Sequence, residues 1–188
     1  MALFAGEQQR EAERIVARYP EGRERSAILP LLYLAQSIEG RVTREGLREV
    51  AEFLGITTAE VEAVATFYTM LRLRPTGTHL ISICTNLSCS VLGGAALAAR
   101  AREILGPGSE DATEDGLLSL HEEECLGACD AAPLVQVDFA NHDRVSEERL
   151  VEIIEQLRRG EVPQPSRGDA PRDFRDASRI LAGVGGSS

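Results

Sequence analysis

The 188-residue chain contains no lysine; all 20 of its basic residues are arginine. No site logic would remove every surface lysine, so this absence reads as a composition bias of the source genome. Nor is there a run of about 18 apolar residues, which excludes a helix crossing a bilayer. Residues 1–18 turn charged within a few positions and lack an apolar h-region, so no secretory signal is expected. Excess positive charge is missing as well, the formal balance being −10. Nucleic acid wants a basic patch and is a poor partner for such a chain, whereas a protein with a cationic face suits it. No Gly-x-Gly-x-x-Gly dinucleotide fingerprint is present, and its nearest candidate, Gly93-Gly94, lacks the strand-to-helix context. The histidines, His79, His121 and His142, are scattered, and each is expected as a surface or strand residue rather than a ligand. No repeat, paired-carboxylate set or Ser/His/Asp constellation rises above chance.

What is present suits one ordinary domain or two small ones, with 43% apolar residues to build a core. Apolar residues at helical spacing predict helices over 7–19 and 26–39, a third opened by Thr43, and a fourth opened by the capping box Thr57-Thr-Ala-Glu60. Ser26 is the expected cap of the second helix, and Gly40 and Gly55 are expected stops. Each helix is apolar on one side, so residues 1–76 are expected to bury those stripes together as an all-α bundle. Phe67, Tyr68 and Met70 near its end suit either the core or a partner.

The pattern changes after Pro75-Thr-Gly77. Residues 80–83 read as a buried strand, 91–105 as an alanine-rich helix, 116–121 as a second strand, and 133–139 as a third. A turn over 141–145 holds room for a short fourth strand, and Ser146 opens a last helix ending at Gly160. The fold class expected is therefore α/β over 77–160, a small mixed sheet flanked by helices, preceded by the bundle. Residues 161–188, rich in Pro, Gly, Ser, Arg and Asp, are expected as a mobile tail with at most a short helix near 174–181.

All four cysteines lie in this second half, as Cys84-x4-Cys89 and Cys125-x3-Cys129. In a chain without a secretory signal they should be reduced, which favours metal or redox chemistry over disulfides. Each pair follows a predicted strand, so the two loops should emerge at one edge of the sheet. Thiolate is a soft donor suited to Fe–S clusters and to zinc, and a cluster with two irons takes two thiolates on each. Structural zinc fits spacings of this order too. A dithiol enzyme of the thioredoxin kind would want two residues between its cysteines, and neither pair has that. Gly127 lets the backbone turn close to the sulfurs, and its amide, with those of Leu87 and Ala128, is placed to donate N–H···S bonds. Glu122, Glu123, Glu124 and Asp130 would oppose those bonds unless they are solvated.

Cys-x4-Cys, a gap of 35 residues, then Cys-Leu-Gly-Ala-Cys followed by Asp-Ala-Ala-Pro133 resembles the thioredoxin-like [2Fe-2S] ferredoxins. Within that family the chain is most similar to the E-type subunits of NADH:quinone oxidoreductase, respiratory complex I. Ile28-Leu-Pro-Leu-Leu32, Val50-Ala51, Leu54-Gly-Ile56 and Val64-Ala-Thr-Phe-Tyr68 extend the resemblance to roughly residues 10–160. It implies a thioredoxin-like fold over the second half and one [2Fe-2S] cluster on Cys84, Cys89, Cys125 and Cys129. It implies a cis peptide bond at Pro133, a flavin subunit as partner, and FMN and NADH bound on that partner only. The chain would be an oxidoreductase subunit, not catalytic alone, on the cytoplasmic side and peripheral to the inner membrane. The equivalent subunit of an NAD-linked hydrogenase or formate dehydrogenase, and a zinc-stabilised interaction module, remain as alternatives.

Overall fold

The computed structural model describes residues 3–184, which form two compact units. One gathers the described residues of Met1–Pro75 and Arg175–Ser188; the other is Thr76–Phe174. Among the described residues no helix is long and apolar enough to cross a membrane.

The first unit is built on α1 (Glu7–Val16), α2 (Ile28–Glu39), α3 (Arg44–Leu54) and α4 (Thr58–Phe67). Two starts follow the local chemistry of the sequence. The Thr43 hydroxyl accepts the Gly46 amide at 3.0 Å to open α3. Both halves of the Thr57–Glu60 capping box are made at α4. Gly40 and Gly55 adopt left-handed φ and end α2 and α3. Ser26, expected as a cap, instead lies inside a 3₁₀ turn, Glu24–Ala27, that runs directly into α2 and meets the needs of the helix start through its own backbone bonds. The apolar surface of α2 is also wider than one stripe. Leu31, Leu32, Leu34 and Ala35 are all fully buried, making α2 the central helix. Its buried Gln36 is satisfied on every side: the carbonyl accepts the Arg72 amide at 2.7 Å, and the NH₂ donates to Met70 O and Ser178 Oγ, both at 3.1 Å.

Ser178 belongs to residues 161–188, expected as a tail with at most a short helix near 174–181; residues 185–188 lie outside those described. That helix is α8, Phe174–Ala182, with Ala177, Ser178 and Ala182 buried. In the first unit, Arg179 grips the buried Glu11 of α1 with both terminal nitrogens, Arg18 donates to the carbonyls of Ala182 and Gly183, and Arg175 donates to Ile38 O. The composition of 161–188 suggests disorder, but a few side chains with distant partners supply what the local sequence lacks.

In the second unit β1 (His79–Cys84), β2 (Leu118–Glu123), β3 (Val135–Val137) and β4 (Ala140–His142) form one mixed sheet in the order β2-β1-β3-β4. β1 and β2 are parallel, while β3 is antiparallel to both β1 and β4. The parallel pair needs a crossover, and α6 (Gly94–Leu105) provides it. α6 and α7 (Glu147–Arg158) bury Leu97, Ala101, Leu150, Ile153 and Leu157 together with Ile81, Ile83, Leu120 and Val137 of the sheet. The Ser146 hydroxyl accepts the Arg149 amide and caps α7.

Several boundaries differ from the sequence reading, three of them for a clear local reason. The helix expected over 91–105 is two helices, α5 (Leu87–Val91) and α6, separated by Gly93 at φ 100°. The second strand starts two residues late because Asp115 accepts the Thr113 hydroxyl and the Leu117 amide in the preceding turn. The third ends at Val137 because Asp138 and Phe139 take positive φ and form a two-residue hairpin turn into β4. Asp138 is held there by the Leu80 amide at 2.8 Å and by His79 Nδ1 at 2.6 Å. Phe139 rests on Phe174 with ring centroids 5.6 Å apart.

All three histidines are in strands, and two of them, His79 and His142, are buried rather than on the surface. At His142, 3% exposed, burial and then the charge of Arg149 push the ring down to about 4 from an ordinary 6.5. Below pH 6.5 the unfolded chain takes a proton that the folded chain refuses until about pH 4, so stability should fall as pH drops through that window. After discounting for residual solvent the loss attributable to this ring is roughly 2 kcal/mol. Denaturant titration at pH 7.5 and 4.5 should show the native chain losing about 2 kcal/mol more than His142→Asn. Equal losses would remove His142 as the cause.

Candidate metal centre

The two cysteine loops meet because β1 and β2 run parallel and in register, from His79 opposite Leu118 to Cys84 opposite Glu123. Their C-terminal ends therefore coincide. Cys84 is the last residue of β1, and its amide bonds Leu134 O at 3.1 Å; Cys125 lies two residues past the end of β2. The chain leaves β1 through Asn86, whose side chain accepts the Leu87 amide at 2.6 Å and opens α5, the short helix that carries Cys89. The Leu87 amide, expected to donate to sulfur, is thus spent on this cap. The other loop turns at Gly127, φ 76°, whose amide donates to Cys125 Sγ at 3.4 Å as expected. Cys129 begins a 3₁₀ turn, Cys129–Ala131, which leads to a cis bond between Ala132 and Pro133.

All four cysteines are free thiols, and Cys84 and Cys89 are buried while Cys125 and Cys129 are exposed. They meet as two couples. The Cys84 and Cys89 side chains are neighbours, as are those of Cys125 and Cys129, and Cys84 and Cys129 feel each other's charge across the couples. Cys84, Cys89, Ala128, Ala132 and Leu134 form a small buried cluster of their own. Among the described residues no three or more His, Cys, Asp or Glu are gathered as around a single metal ion; the donors divide two and two.

Electrostatics supply the test of fit. Burial and then the neighbouring Cys84 push the Cys89 thiol up, and the neighbouring Cys125 raises Cys129. Neighbouring thiols thus oppose the ionisation of Cys89 and of Cys129, and a bound cation removes that opposition. The donor set is soft, paired, partly desolvated and short of positive charge, so it fits a dinuclear iron–sulfur core.

Three contributors were not legible as such. The Leu134 backbone beside Cys89 and the Ser88 side chain beside Cys129 each favour the ionised form of that thiol. Gly94 lies against the backbone of both first-loop cysteines. The only sequence signals were Ser88 beside a cysteine and Gly94 in a failed dinucleotide fingerprint. Of the acidic run, Glu122 pairs with Arg102, and Glu123 lies 2.8 Å from His121 Nδ1. Glu124 is exposed, its carbonyl 3.8 Å from Cys84 Sγ, and Asp130 is exposed as well.

The sequence model of the thioredoxin-like [2Fe-2S] ferredoxin family matches residues 12–158. The chain belongs to this family. Its relatives include the E-type subunit of the NADH-quinone oxidoreductase of Mycobacterium bovis, 46% identical over 174 residues that cover 93% of this chain and 68% of that protein. NADH-quinone oxidoreductase subunit 2 of Thermus thermophilus is 37% identical over 158 residues, covering 84% of this chain and 87% of the other. Among solved structures, an NAD+-reducing [NiFe]-hydrogenase in the air-oxidised state superposes with a TM-score of 0.60 at 23% identity, over 70% of this chain and 23% of that one. The chain thus spans under a quarter of the solved chain, and that likeness bears on fold alone. With the family match, the expected fold class stands: a thioredoxin-like domain with a small mixed four-stranded sheet, accompanied by a helical bundle.

Proposed function

We propose that this chain is the electron-transfer subunit of an NADH:quinone oxidoreductase, respiratory complex I, and that Cys84, Cys89, Cys125 and Cys129 ligate one [2Fe-2S] cluster. The observation that carries this reading is the meeting of four thiols in two couples at the shared end of β1 and β2, in a chain of this family. When bound, such a cluster supplies one-electron redox chemistry. The chain's own residues grip and tune it. Cys84 and Cys89 hold it from the buried side, and Cys125 and Cys129 hold it toward the surface, where an electron partner has access. The Gly127 amide donates to sulfur, and the Leu134 backbone and the Ser88 side chain favour ionised sulfur, which together favours the more negative reduced state and raises the potential. Glu124 and Asp130 act the other way, while Arg102 offsets Glu122.

On this reading NADH and FMN bind a partner flavin subunit, and the cluster lies near that FMN. Exposed apolar residues suit such a partner: Phe67, Tyr68 and Leu73 in the helical unit, and Leu87, Val91 and Leu92 on and after α5 in the other. The chain would work in the peripheral arm, on the cytoplasmic side of the inner membrane. A chain of this fold occurs in an NAD+-reducing hydrogenase, which keeps the equivalent hydrogenase subunit as a second reading. The 46% identity to an NADH-quinone oxidoreductase subunit supports the first.

The test is iron and acid-labile sulfide per chain on anaerobically purified protein, with EPR before and after dithionite. About two of each and a signal that appears only on reduction are expected. Zinc in place of iron, without labile sulfide or signal even after reconstitution, would overturn the reading. Copurified subunits separate complex I from a hydrogenase.

A further inference from the structure

Gly94 is the first residue of α6 and is buried. A Cβ built there would lie 2.5 Å from Cys84 O, 2.9 Å from Cys89 O and 3.0 Å from Cys89 C. All three are backbone atoms and cannot swing aside as a side-chain tip can. Nothing in the conformation of Gly94 itself calls for glycine, since it begins a regular helix and its φ is not in the left-handed region. Alanine would ordinarily favour a helix here by about 0.5–1 kcal/mol. The contact with the two cysteine carbonyls is what excludes a side chain.

From this contact we infer that Gly94 is a positioning residue for the thiol site: the start of α6 seats the Cys84–Cys89 loop. The inference rests on the cluster reading above for its spectroscopic readouts, but not for its chemical one. A methyl group at position 94 must push the carbonyls of Cys84 and Cys89 away together, moving both buried thiols.

The experiment compares the native full chain with Gly94→Ala and Ala95→Gly. Ala95 is the exposed next residue of α6, so Ala95→Gly weakens the helix without adding an atom at the carbonyls. In the metal-stripped full chain, Gly94→Ala should speed iodoacetamide alkylation of Cys84 and Cys89, read by mass spectrometry, at least about tenfold, and Ala95→Gly less than about twofold. In the reconstituted chain, Gly94→Ala should shift the EPR g-values and release iron to a chelator at least about tenfold faster. Alkylation and release rates for Gly94→Ala within twofold of native would overturn the inference, as would Ala95→Gly matching Gly94→Ala. Should Gly94→Ala not fold, NMR of the metal-stripped native chain decides: NOEs from the Gly94 Hα protons to Cys89 uphold the seat, and their absence removes it. Native protein without iron or sulfide would sink the cluster reading, while the alkylation comparison would still decide the seat.

Discussion

Cys125→Ala should leave the purified chain without a stable cluster, with iron and labile sulfide falling from about two each per chain to near zero. The fold should survive. Cys125 is exposed and outside the strands, so losing its sulfur opens no cavity, and the metal-free variant should match the metal-free native chain to within about 0.5 kcal/mol. Cys84→Ala should lose the cluster equally but make a poorer test, because Cys84 closes β1 and lies in the buried cluster with Leu134. Shortening it also costs about 1–2 kcal/mol of packing. The two variants separate ligation from folding. Iron and sulfide on anaerobically reconstituted protein, with circular dichroism alongside, make the measurement. A full complement of both in Cys125→Ala would remove that residue from the ligand set and with it the two-and-two division of the site.

The thiol site was largely legible because its information is local. A strand that ends at a cysteine, a glycine two residues past Cys125 and a proline after the last pair are fixed by spacing alone, and parallel pairing of β1 with β2 did the rest. The same is true of Thr43 and Thr57, where a hydroxyl and an amide three residues away decide a helix start. The break at Gly93 was not legible, since a glycine pair in an alanine-rich stretch reads as helix until its φ is known. Asp138 and Phe139 were read as strand because their alternation continues that of β3. The turn there depends on His79 and Leu80, 59 and 58 positions away, which no window along the chain contains. Gly94 shows the same limit at the site itself. Its reason for being glycine is the backbone of Cys84 and Cys89, visible only once the loop is folded back on α6.

Residues 161–188 illustrate that limit most fully, and they carry the second large effect. Arg179→Met should destabilise the chain by about 3 kcal/mol, out of a total of about 5–15 for a protein of ordinary stability. Glu11 is 3% exposed, beside Ala12 and Ile15 of the bundle core, and Arg179 grips it from 168 positions away with both terminal nitrogens. Taking the arginine away strands a carboxylate where water cannot reach it, which in buried pairs costs about 3–5 kcal/mol. The lower figure applies because the Arg179 side chain keeps about a third of its surface in solvent, so part of the pair is already screened. The converse variant, Glu11→Met, should cost less, since the guanidinium can turn outward. Glu11→Met with Arg179→Met should recover much of the loss, because an apolar pair of similar volume has nothing left unpaired. A double-mutant cycle by denaturant titration therefore gives a sharp answer. A single-variant loss below about 1 kcal/mol, or additive losses in the double variant, would mean that α8 is held by its apolar face and backbone contacts, with the ion pair contributing little.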